Sequence, residues 1–276
     1  MKVDGLTLRE FQDFFAEIYA ERNIERFGNT PTKGISSMWL RVVTHSGEVA
    51  RAVRKRRFDL LMQELPNVFC WYCAFCSKLN IDLDQTIWAW FPRVCPTCYG
   101  VRCGCGGNKE NDVRPPQKDR EILDRLCRDN SATKPKSADE YVLMFGAIYG
   151  NRGTAQIDGT FLHFMEELGE VSELVQHLKL AKDNPQRFES IRSKIEIELA
   201  DVFSWIAKLC WLTNEEFKGF LTYLRQDPGL TPTRNEITLS ELVERRYEGG
   251  CPYCHARPCS RDCPGWLQPT PLAISA

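Results

Sequence analysis

The sequence predicts an all-α fold made of two helical halves that repeat one another. Three observations predict it. Four blocks recur in the same order along the chain, apolar residues fall at helical spacing, and no stretch alternates apolar and polar residues as a half-buried strand would. FFAEIYAERN (Phe14–Asn23) pairs with MFGAIYGNRG (Met144–Gly153), and WLRVVTHSGEV (Trp39–Val49) with FLHFMEELGEV (Phe161–Val171). ELPNVFCWYCAFC (Glu64–Cys76) pairs with ELADVFSWIAKLC (Glu198–Cys210), and FPRVCPTC (Phe91–Cys98) with YEGGCPYC (Tyr247–Cys254). The chain reads as a tandem duplication, with residues 1–105 as the first half and 119–276 as the second.

The elements follow in order. A first helix is expected over Leu8–Arg22 and again over Ala138–Tyr149. A second covers Ser36–Arg56 and Thr160–Leu180, and a third covers Phe58–Leu79 and Gln186–Leu212. In the longest, Ile191, Ile195, Leu199, Val202, Ile206 and Leu209 trace one apolar face. A shorter fourth helix leads into a cysteine knuckle in each half. Between the halves, GGNKENDVRPPQK (Gly106–Lys118) is rich in Gly, Pro, Asn and charge and reads as a linker.

Bulk properties narrow the function classes. The chain has 276 residues, 43% hydrophobic and 26% charged, which is enough for a substantial core. A net charge of −1 supplies no global basic field for nucleic acid or anionic lipid. The longest apolar run, Val68–Cys76, is too short to span a bilayer, and MKVDGLTLREF does not resemble a signal peptide. Thirteen cysteines without a secretory signal point to a reducing compartment, and the cytoplasm is expected.

The acids of EELGEVSEL (Glu166–Leu174) raise the functional question, since an acid-rich amphipathic helix is by itself usually a solvated face. Glu167 and Glu170 stand three apart on the second helix of the second half, and Glu198 and Asp201 three apart on its third. That spacing puts each pair on one helix face. Two such faces meeting across a bundle would gather four hard oxygen ligands, suited to Mg²⁺ or Mn²⁺ rather than zinc. Asp201 sits among Val202, Phe203, Trp205 and Ile206, where an unpaired acid is expensive. Ion pairing to Lys194 or Lys208 is the structural alternative.

Glu167-x-x-Glu170 followed by Glu198-x-x-Asp201, within EELGE and ELADVFSW, resembles the MazG-type all-α nucleoside triphosphate pyrophosphohydrolases. The resemblance implies that Glu167, Glu170, Glu198 and Asp201 ligate magnesium, with Glu166 in support and Lys194 contacting phosphate. It also implies cleavage of a nucleoside triphosphate to the monophosphate and pyrophosphate. Water would attack the α-phosphorus, with Glu167 or Glu170 accepting its proton. Because related proteins assemble as dimers or larger oligomers, the two halves are expected to form an intramolecular pseudo-dimer, itself able to oligomerise.

In the first half Glu167 aligns with His45 and Asp201 with Asn67, while Glu48 and Glu64 are kept and Thr44 replaces Glu166. Two of the four ligands are gone, so one active site is expected, in the second half. His45 and Asn67 could instead form a neutral hydrogen-bonded pair. RAVRKRRF (Arg51–Phe58) follows this degenerate motif and reads as a solvated helix end, with phosphate attraction as the minority reading.

Each half ends in a CPxC turn with two later cysteines. These are Cys95, Cys98, Cys103 and Cys105 in the first, and Cys251, Cys254, Cys259 and Cys263 in the second. The ligand number and spacing suit one structural zinc each, with His255 a competitor for Cys263. Some MazG-like proteins carry a similar tail after an aromatic-rich helix. Cys70, Cys73 and Cys76 resemble an iron–sulfur spacing but align with Ser204, Ala207 and Cys210 on a core helix, so they read as buried thiols, as do Cys127 and Cys210. His163 and His177 show no partner. Two other function classes compete with the enzyme: a nucleic-acid-binding zinc protein, disfavoured by the charge, and a catalytically weak nucleotide-sensing scaffold.

Overall fold

The computed structural model describes residues 3–105, 117–150, 157–224 and 237–265. Among the described residues it is all helical, with nine α-helices and one 3₁₀ turn. The first half contributes α1 (Leu8–Phe27), α2 (Ile35–Arg54), α3 (Phe58–Lys78) and α4 (Leu83–Trp90). The second contributes α5 (Gln117–Asp129), α6 (Ala138–Tyr149), α7 (Ile157–Leu180), α8 (Pro185–Leu224) and α9 (Leu239–Tyr247). Of the expected linker, 106–116 lie outside the described residues, and Gln117 and Lys118 open α5.

Local signals explain the helix starts. Thr7 and Glu10 form a reciprocal capping box on α1, and Asp82, Ser137 and Thr238 cap α4, α6 and α9. Gly28 ends α1 with φ at +75°, a region open to glycine at no steric cost. Pro66 interrupts the α3 hydrogen-bond ladder at the position where Ala200 continues it in α8. The chain departs from expectation at α5 and at the end of α8, which runs on to Leu224. Helix α5 has no counterpart in the first half. It folds onto α4, burying Leu123, setting Arg120 4.8 Å above the Trp90 ring and placing the Cys127 thiol 3.4 Å from the Trp88 carbonyl. Cys127 is thus only half-buried, unlike Cys70, Cys73, Cys76 and Cys210.

The core runs through both halves as a line of rings that reads alike from either end. Tyr247 meets Phe15 at 5.3 Å between centroids, Phe15 meets Phe69 at 5.9 Å, and Phe69 meets Phe203 at 6.2 Å. Phe203 then meets Phe145 at 5.9 Å and Phe145 meets Phe91 at 4.9 Å. Phe15 and Phe145 are matched positions of the repeat, as are Phe69 and Phe203, and Tyr247 and Phe91. Each such pair adds about 0.5–1.5 kcal/mol beyond its area burial. Hydrogen bonds also join the halves: Trp39 Nε1–H donates to Ser172 Oγ at 2.8 Å, and Tyr72 OH donates to the Leu199 carbonyl at 2.7 Å.

The short helices cross over. Helix α4 of the first half lies against α8 of the second, and α9 of the second lies against α3 of the first. Each knuckle follows its helix across. The Cys103 amide donates to the Ile148 carbonyl at 2.8 Å, and the Cys259 amide donates to the Ile18 carbonyl at 2.8 Å. Cys103 and Cys259 are matched positions, and so are Ile18 and Ile148. No helix among the described residues is long and apolar enough to cross a membrane.

Candidate metal centres

Helices α7 and α8 bring Glu167, Glu198 and Asp201 together, with one ligand atom from each lying within 4.8 Å of the other two. Glu167 and Glu198 are buried, at 7% and 1% exposure, and Asp201 is half-buried. Three oxygen donors at one locus, two of them inside the protein, match the needs of a hard divalent cation. Glu170, one turn along α7, is half-buried and is not one of the three. Glu166 is exposed on the outer side of α7, 3.4 Å from His163 Nδ1, and Lys194 is exposed one turn before Glu198.

A ring stack adjoins the acids. Trp205 lies 5.8 Å from Tyr149 on one side and 4.9 Å from His163 on the other, both near parallel. Its Nε1–H points at Glu167 Oε1 at 3.4 Å, a long hydrogen bond. Lys208 is 3% exposed, donates to the Tyr149 carbonyl at 3.0 Å, and sits 5.9 Å from the centre of the Trp205 ring. A cation there meets the negative end of α6. His163, which shows no partner in the sequence, is therefore a packed member of this site. The recurrence of Tyr19/Trp71 as Tyr149/Trp205 in the two halves was the available signal.

The matching place in the first half is organised differently. His45 and Asn67 do not bond one another: both converge on Glu64, with His45 Nδ1 at 2.9 Å and the Asn67 Nδ2–H donating at 3.1 Å. Burial pushes the Glu64 carboxyl up, but the hydrogen bonds from His45 and Asn67 outweigh it and hold it below its usual value. Two residues of the other half close the group. Tyr247 OH and Arg246 Nε donate to Asn67 Oδ1 at 3.0 and 3.2 Å. Phe91, the counterpart of Tyr247, has no hydroxyl to offer Asp201. In the basic stretch, Arg51, Arg56 and Arg57 pair with Glu48, Asp158 and Asp59, in keeping with a solvated helix end.

Both cysteine sets form compact clusters. Cys95 and Cys105 Sγ lie 3.7 Å apart, Cys251 and Cys263 3.6 Å, and Cys254 and Cys259 3.7 Å. Sulfurs placed about 2.3 Å from a central zinc at tetrahedral angles would stand about 3.8 Å apart, whereas a disulfide needs about 2.05 Å. The separations fit the metal and exclude the disulfide, so both clusters can hold zinc. Cys263 completes the second set, while His255 is exposed in a left-handed turn (φ 54°) that Tyr99 repeats in the first knuckle. Burial raises Cys98 and Cys254, but backbone amides outweigh it, Gly104 and Gly100 at the first and Ser260 and Ala256 at the second. Both thiols come down to about 7, toward the thiolate that zinc requires.

No family model, curated protein or solved structure matches the chain.

Proposed function

We propose that the second half is a magnesium-dependent nucleoside triphosphate pyrophosphohydrolase of the MazG type, with the first half packed on it as an internal dimer partner. The convergence of Glu167, Glu198 and Asp201 carries this reading. Those three carboxylates would hold the cation, with Glu170 on the same helix face. Bound magnesium supplies neutralisation of the polyphosphate and of the leaving pyrophosphate. The remaining work falls to the chain. Trp205 and the packing around it would fix the Glu167 carboxylate, Lys194, exposed one turn before Glu198, would meet phosphate, and Glu167 or Glu170 would take the proton of the attacking water. The crossed knuckles and the line of rings support the pseudo-dimer, because matched residues make matched contacts, as a two-fold interface requires.

The test is pyrophosphate release from a panel of nucleoside triphosphates, with and without magnesium. Asp201→Asn and Glu198→Gln should each lower the rate at least about a hundredfold, the scale of removing one preorganised charged group. Unchanged rates in both variants would overturn the assignment.

A further inference from the structure

Four residues of α8 fall on one helix face. Glu198, Asp201, Trp205 and Lys208 follow one another at spacings of three, four and three. The matched face of α3 reads Glu64, Asn67, Trp71 and Ala74. The tryptophan is common to both halves, whereas Lys208, like Asp201, belongs to the acidic half alone.

The first half separates what the rings do from what the lysine does. Tyr19 and Trp71 stack there with 6.5 Å between centroids and 17° between planes, with alanine in the place of the lysine. The stack therefore forms without an ammonium group. In the second half the matched rings, Tyr149 and Trp205, stand closer, at 5.8 Å and 16°. The helix below them also differs: α1 runs on past Tyr19 to Phe27, whereas α6 stops at Tyr149. The Tyr149 carbonyl thus lies at the negative end of a helix. Lys208 Nζ donates to it at 3.0 Å and stands 5.9 Å from the centre of the Trp205 ring. At 3% exposure this ammonium carries a desolvation cost that a methionine of similar length would not. The indole it touches is the one whose Nε1–H is directed at Glu167 Oε1, at 3.4 Å.

We propose that Lys208 is a positioning residue for the carboxylate cluster. It fastens the end of α6 and the Trp205 indole together, and so holds the indole N–H on Glu167. This deepens the proposed function and rests on it, because the cluster is taken to bind a divalent cation. Hydrogen bonds that orient a metal ligand from outside commonly change metal affinity by about 10–100-fold.

Calorimetric titration of the full chain with magnesium chloride, without nucleotide, tests this, with urea unfolding run alongside. Lys208→Met should weaken magnesium binding about tenfold, and so should Trp205→Phe, which keeps a ring in the stack but has no N–H to donate. The double variant should also lose about tenfold rather than about a hundredfold, because both residues act through one bond. Lys208→Gln keeps a donor for the Tyr149 carbonyl and is gentler on the fold. Its loss should be smaller, and should vanish in the Trp205→Phe background. Native magnesium affinity in both Lys208 variants, or losses that persist undiminished in the Trp205→Phe background, would overturn the proposal while leaving the proposed function standing. Failure of the native chain to take up magnesium would instead overturn the proposed function, and this proposal with it.

Discussion

The amide of Cys103, inside the first cysteine knuckle, is 2.8 Å from the carbonyl of Ile148, at the end of a helix in the other half. The next residue, Tyr149, stacks on Trp205 and accepts a hydrogen bond from Lys208, and Trp205 reaches Glu167. The first knuckle therefore buttresses the carboxylate cluster of the opposite half.

Zinc content and activity should be linked across the halves. Elemental analysis should find two zinc ions per chain, and about one in Cys98→Ser or Cys254→Ser. Of these, Cys98→Ser should lower pyrophosphate release more, although it lies in the half that lacks the full acid set. Equal activity in both variants would show that the contact at Ile148 does not matter to the site.

Glu64 should make part of the stability depend on pH. Its carboxyl is held lower in the folded chain than in the unfolded one, so the folded state binds that proton less readily. The resulting stabilisation is complete above the unfolded value of about 4.3 and is lost as pH falls through the folded value below it. Urea midpoints measured down an acid series should therefore fall less steeply for Glu64→Gln than for the native chain. Parallel curves would mean that His45 and Asn67 do not favour the charged form.

Asn67→Asp should not rebuild a cation site. The new carboxylate would replace the Nδ2–H that donates to Glu64 with a like charge, while His45 still stands where a third acid is needed. A loss of about 1–3 kcal/mol in urea unfolding is expected, with no gain in magnesium affinity by titration. Stabilisation by magnesium would contradict this.

Tyr247→Phe copies the residue found at the matched position, Phe91. The ring contacts with Phe15 and Tyr19 should persist, while the hydroxyl's bond to Asn67 and its contact with the Cys70 thiol should go. Denaturant melts should register about 1 kcal/mol, with intact near-ultraviolet circular dichroism.

Much of this was legible because the chain contains its own comparison. The repeat located eight of the helices and both cysteine sets, and it marked Glu167 and Asp201 as acids present in one half alone. What it could not show were contacts between elements distant in sequence. Lys208 stands where the first half has Ala74, and nothing in its flanks reveals a buried lysine seeking a helix end. The bond from Tyr247 to Asn67 spans 180 positions, and the crossing of the knuckles depends on packing. Helix α5 escaped notice because it has no counterpart to match.

Each repeat is finished by a piece of its neighbour. Truncation at residue 105 would leave Ile18 without its fastener and the first knuckle with no helix to rest on. Two identical chains paired in this way would alter both sites with every substitution, whereas a single interlocked chain can respecialise one and keep the other. The altered half therefore cannot be discarded: it is the mould in which the acidic half sets.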